Sequence, residues 1–144
     1  MRGDLVLMRS LSCMTDLIAR LGEDQQAQIV SALLLVLKMP TDLVGYDYLL
    51  WAVQIYGENP TQSITKELYP AVAAKYDRYV TGGKVEKGIR DVIDHAFRNC
   101  DEETWKLFFP APGNICARPS NTEFISRMYR LMTLWLSSRQ RNVG

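Results

Sequence analysis

Residues 82–100 read GGKVEKGIRDVIDHAFRNC. Laid on a helix, Val85, Ile89, Val92, Ile93, Ala96 and Phe97 share one stripe, at the spacing that buries one face. Glu86, Lys87, Arg90, Asp94 and Arg98 fall mostly on the opposite side. One face is therefore expected in the core, while the other presents long donors and an acceptor. Thr81 and two glycines mark the start. A helix divided in this way, preceded by a shorter helix and a turn, is the arrangement by which helix-turn-helix proteins enter the major groove.

The segments around it have the same helical period. Residues 24–38 place Val30, Leu33, Leu34 and Leu37 on one face, and Pro40 ends the run. Residues 45–57, GYDYLLWAVQIYG, bury Tyr48, Leu49, Ala52, Val53 and Tyr56, with Gly57 as a C-terminal stop. Tyr46, Tyr48, Trp51 and Tyr56 suit base stacking, but aromatics at this spacing are expected in the core. Residues 63–76, SITKELYPAVAAKY, start at the N-cap Ser63 and repeat Leu68, Val72 and Tyr76 every four positions. Pro70 either lies in the first turn of the helix that matters or kinks a longer one.

Beyond residue 100, a short helix is expected over 101–108, with acidic residues in its first turn. A proline-rich loop spans 110–119. A last helix begins near Ser120, which with Glu123 has capping-box spacing. Its stripe is Phe124, Met128, Leu131, Met132 and Trp135, and the tail from Ser137 is expected to fray. At the other end, Leu7, Leu11, Met14, Ile18 and Leu21 step alternately by four and three over residues 4–21. So short a seam fits an amphipathic helix docked on its own domain, or a dimer contact. No alternating strand pattern occurs. The fold class is all-α: a compact domain of about six helices with a central helix-turn-helix, plus the extra N-terminal helix.

Bulk properties narrow the function. A chain of 144 residues with 47% hydrophobic and 23% charged side chains is one globular domain with a real core. The formal net charge of +1 gives no global attraction to nucleic acid, so DNA binding needs a local patch. Cys13, Cys100 and Cys116 lack metal-site or disulfide-framework spacing and read as free thiols. No apolar run of about 18 residues exists, so no membrane span is expected. The first residues are too broken by Asp4 and Arg9 for a signal peptide. The single histidine, His95, sits at the edge of the buried stripe with no triad around it. No metal cluster or phosphate loop is present, so neither catalysis nor a cofactor is expected.

Three strings make the chain similar to a known family: GYDYLLWAV at 45–53, SITKELYPAVAAKY at 63–76 with KVEKGIRDVI at 84–93, and RPSNTEFISRM at 118–128. In order and separation they resemble the C-terminal effector domain of the stage-zero sporulation response regulator, over roughly residues 33–136. The resemblance implies a helix-turn-helix at about 64–98 within an effector domain at 23–144, with residues 1–22 as a docking or dimerisation element. It implies base reading by Glu86, Lys87 and Arg90. The chemistry agrees: a carboxylate accepts from cytosine N4, and Arg or Lys donates to guanine O6 and N7. Ser63, Thr65, Lys66, Lys75, Thr81 and Lys84 are candidates for phosphate contacts. For Ser63 and Thr81 the competing role is helix capping.

The partners implied are double-stranded DNA, the sigma subunit of RNA polymerase and a second copy of the chain, with no membrane. The location implied is cytoplasmic, at the nucleoid. The alternative is a receiver-less interaction module that antagonises or pairs with a full-length regulator. No β/α receiver pattern fits residues 1–32, so the chain is expected to be a receiver-less relative or a fragment.

Several positions depart from the family pattern. Lys87 stands where Arg is usual and lacks its bidentate fork. Gly83 replaces Ser or Thr. Gly88 replaces Ala inside a helix, at an expected cost of about 1 kcal/mol. Asp91 and Asp94 add negative charge near the expected duplex. From residue 84 to 98 the four basic and three acidic residues leave a net of only +1.

Overall fold

The computed structural model describes the backbone of residues 26–143 and the side chains of residues 26–138. The helix expected at 4–21 lies outside the described residues. Six α-helices follow in order: α1 (Gln26–Val36), α2 (Val44–Glu58), α3 (Tyr69–Ala73), α4 (Gly82–Asn99), α5 (Glu102–Phe108) and α6 (Asn121–Val143). A π-helical turn, Ile64–Leu68, leads into α3. No strand occurs among the described residues, so the all-α expectation holds.

The turn before α3 resolves the ambiguity at Pro70. The Ser63 carbonyl accepts from both Glu67 N–H (2.9 Å) and Leu68 N–H (3.0 Å), which widens the helix by one residue. Pro70 lacks an N–H and its ring crowds the preceding turn, so it could not continue a regular α-helix. It instead occupies the first turn of α3, where the missing donor costs nothing.

α4 is the central element, packed against α2, α3 and α6. Val85, Ile89, Val92, Ile93 and Ala96 are fully buried. Each large aliphatic among them is worth about 1.5–3 kcal/mol on burial, which far outweighs one unfavourable glycine in the helix. Phe97 is half-buried and meets Trp105 edge-on, with ring centroids 5.2 Å apart. Trp105 is buried against Phe109 and Phe124, and its Nε1–H donates to the Ala117 carbonyl at 2.9 Å. That bond binds the proline-rich loop to the core.

Two expectations need correction. Trp51 is not core: it is 37% exposed, and the Lys75 ammonium lies 4.8 Å from its ring centroid. Tyr46 and Tyr48 are buried and Tyr56 is half-buried, as their spacing predicts. The backbone of the last helix is helical to Val143. The second correction concerns Gly88. α2 and α4 cross where Gly45 faces Gly88. A Cβ on Gly45 would lie 2.0 Å from the Gly88 carbonyl oxygen, and one on Gly88 would lie 2.9 Å from the Tyr48 ring. Gly88 is therefore a packing requirement, not a tolerated weakness.

Gly45→Ala should lower the unfolding free energy by at least about 2 kcal/mol, because backbone must move to admit the methyl group. Gly88→Ala should also destabilise, despite the better helix propensity of alanine. Gly83→Ala meets nothing closer than 3.8 Å and should stabilise by up to about 1 kcal/mol. Urea denaturation of the three variants checks this ordering.

Candidate nucleic-acid interface

The first turn of α4 is set by Thr81, whose Oγ1 accepts from Lys84 N–H at 3.2 Å. Beyond this cap the helix turns its polar side outward. Lys87 is exposed and makes no ion pair or hydrogen bond among the described residues. The Glu86 and Arg90 side chains are 45% and 51% exposed and face each other at 3.6 Å, four residues apart. All three predicted base-reading residues thus share an uncovered face. An exposed pair of this kind is worth about 0.3–0.5 kcal/mol, so a stronger partner can readily separate it.

The predicted phosphate-contacting residues form two groups, with Lys75 apart from both. Thr81 and Lys84 stand at the start of α4. Ser63, Thr65 and Lys66 stand at the π-helical turn, where Ser63 Oγ accepts from Lys66 N–H at 3.2 Å. Ser63 and Thr81 therefore both cap helices, the competing role their positions suggested. Lys84 Nζ donates to the Tyr79 carbonyl at 2.9 Å, and Lys75 is spread over Trp51. Thr65, Lys66, Lys75 and Lys84 are all exposed.

What holds α4 in place lies elsewhere in the chain. Asn121, at the start of α6, donates through Nδ2 to the Glu86 carbonyl at 3.1 Å and to Tyr69 Oη at 3.3 Å. One amide thereby ties α3 and α4 together. Burial pushes the Tyr69 hydroxyl above its ordinary pKa, so it remains a neutral partner for that amide. Arg118 donates to the Arg90 carbonyl at 3.1 Å, to the Pro119 carbonyl and to the Asp94 carboxylate. The string RPSN carried the family resemblance, but only the folded chain shows that its Arg and Asn grip α4. Their sole sequence signal was a pair of polar side chains flanking a helix cap inside a proline-rich loop.

This grip alters the charge balance expected of α4. Asp94 is paired with Arg118, so its negative charge is offset. Asp91 remains exposed on the same helix. Other chemistry finds little support nearby. His95 is exposed and hydrogen-bonds the Asn99 side chain at 3.0 Å. Burial, with a smaller contribution from the Asp101 charge, pushes the Cys100 thiol up to about 11, so it stays protonated at neutral pH. Among the described residues, no cluster of three or more His, Cys, Asp or Glu could hold a metal. No described helix is long and apolar enough to cross a membrane.

Asn121→Ala should cost about 1–2 kcal/mol in chemical denaturation, because it leaves two partly buried acceptors without their donor. Unchanged stability would show that the amide holds nothing.

Comparison with known proteins adds a finding independent of this geometry. Residues 30–132 match the family model described as sporulation initiation factor Spo0A C terminal. The match spans more than half of the chain, from α1 into α6, and includes Glu86, Lys87, Arg90, Arg118 and Asn121. That family comprises DNA-binding regulatory domains and is not an enzyme family. This chain belongs to the Spo0A C-terminal family, the DNA-binding effector domains of sporulation regulators.

Proposed function

We propose that this protein regulates transcription by reading promoter boxes in the major groove with Glu86, Lys87 and Arg90. The observation that carries the reading is the uncovered outer face of α4, on which these three side chains lie together. Glu86 accepts from a cytosine amino group, and Arg90 donates in a fork to guanine O6 and N7. Opening their mutual ion pair costs a few tenths of a kcal/mol, while a good bidentate base contact is worth about 1–3 kcal/mol. Lys87 adds a point charge without a fork, so guanine preference at its position is looser than Arg would give. Ser63, Thr65, Lys66, Lys75, Thr81 and Lys84 grip the backbone on either side.

The effector domain spans residues 23–144, with residues 1–22 as an accessory segment. Two copies on adjacent boxes raise each other's effective concentration, so a homodimer is one expected partner. The sigma subunit of RNA polymerase is the other, and the site of action is the nucleoid in the cytoplasm.

The second reading is an interaction module that has lost its DNA contacts. It draws on the near-neutral charge and on Lys87, Gly88, Asp91 and Asp94. With Asp94 held by Arg118 and Glu86 facing Arg90, Asp91 is the one carboxylate of α4 left without an ion pair among the described residues, and the first reading is favoured.

Selection of bound duplexes from a random pool, repeated with Arg90→Ala, separates these readings. The wild-type protein should recover a defined box with steep salt dependence. The variant should lose about 1–3 kcal/mol of discrimination at one base position. Uniform weakening would make Arg90 a phosphate contact. A wild-type protein without sequence preference would favour the interaction module.

A further inference from the structure

Helix-turn-helix motifs usually join their two helices by about three or four residues. Here α3 ends at Ala73 and α4 begins at Gly82, which leaves residues 74–81 between them. Asp77 organises the middle of this connection. Its carboxylate accepts from Tyr79 N–H at 2.8 Å, and its carbonyl accepts from Val80 N–H at 3.1 Å. The backbone is settled by these bonds, and the side chains of Arg78 and Tyr79 are not used to settle it.

Those two side chains are built into a unit of their own. Tyr79 is 64% exposed, the most exposed of the large hydrophobic side chains described. The Arg78 guanidinium lies 5.0 Å from its ring centroid and donates through Nη2 to Tyr79 Oη at 2.9 Å. Since Oη accepts from Arg78, its own proton is free to donate outward. The other guanidinium N–H groups are free as well, because Arg78 pairs with no carboxylate among the described residues. Lys84 Nζ, held by the Tyr79 carbonyl at 2.9 Å, adds a second cation and anchors the connection to the first turn of α4.

From this we infer that Arg78 and Tyr79 form a preorganised clamp for a backbone phosphate of the DNA, beside the N-terminal end of the reading helix and outside the bases it contacts. The inference rests on the major-groove reading proposed above. Arg78 supplies charge and donors, and the Tyr79 hydroxyl supplies one further donor. The ring keeps the guanidinium extended, so little side-chain entropy is lost on binding. The clamp carries no sequence information and contributes equally on any duplex.

The test is fluorescence anisotropy of the purified protein with its selected box and with a scrambled duplex, over 50–200 mM salt. Arg78→Ala should weaken binding to both duplexes by the same factor and reduce the log–log salt slope by about one. Its deficit should therefore shrink by about three- to fourfold across that salt range. Arg78→Lys should keep the slope, and Tyr79→Phe should weaken both duplexes without changing it. Circular dichroism melting should be unchanged in all three, since both residues are exposed.

An unchanged affinity and slope for Arg78→Ala, with wild-type binding intact, would overturn the clamp and leave the base-reading proposal standing. Loss of discrimination at one base would overturn it too, by making Arg78 a base reader. A wild-type protein that binds neither duplex would overturn the base-reading proposal and the clamp together.

Discussion

The close crossing of α2 and α4 is the constraint on which the rest of the structure depends. Gly45 and Gly88 bring two backbones nearer than any side chain would allow, and the Tyr48 ring closes over the gap. That approach sinks the inner side of α4 into the core and leaves its polar side standing outward. A methyl group at either glycine would push the helices apart and shift every side chain on the outer face of α4. Specific base contacts tolerate little such movement, because supporting residues must hold them to within about half an ångström. The glycine that looks like a defect in a helix is therefore what sets the position of that outer face.

Apolar burial positions α4, and polar contacts from the loop before α6 and from the first residue of α6 complete its seating. Asn121 and Arg118 reach two carbonyls of α4 and one carboxylate, and the Trp105 indole ties the same loop to the core. The division has a physical logic. Hydrophobic contact is strong but non-directional, so it fixes depth better than rotation. Hydrogen bonds are individually weak in net terms but directional, so they favour one rotation over its neighbours. Arg118 also offsets Asp94, which removes part of the repulsion that the residues of α4 alone would offer to a duplex.

Much of this was legible in the chain because α4 repeats its apolar residues at the helical period, and period is a local signal. The same holds for the caps at Ser63, Thr81 and Ser120, each a hydroxyl side chain at the start of a helical run. What escaped sequence reading depended on residues distant in the chain. Gly88 looked costly because its partner Gly45 lies on another helix. Asp94 looked like a free charge because Arg118 comes from a later loop. Trp51 has the spacing of a core residue but lies at the edge of its stripe, where Lys75 covers it instead of the protein interior. Pro70 was ambiguous because a π-helical turn, which has no sequence signature of its own, absorbs it. The candidate site followed the same rule. Its outward residues were visible in one helix, while the groups that support them, and the Arg78–Tyr79 pair beside them, were not.

The central claim is that the outer face of α4 enters the major groove and meets guanine edges there. Interference by methylation at guanine N7, which lies in the major groove, addresses that claim directly. The account predicts that methylation of one or two guanines within the selected box blocks binding, with flanking guanines indifferent. Binding that is insensitive to N7 methylation throughout the box, but abolished when the minor groove is occupied, would contradict it.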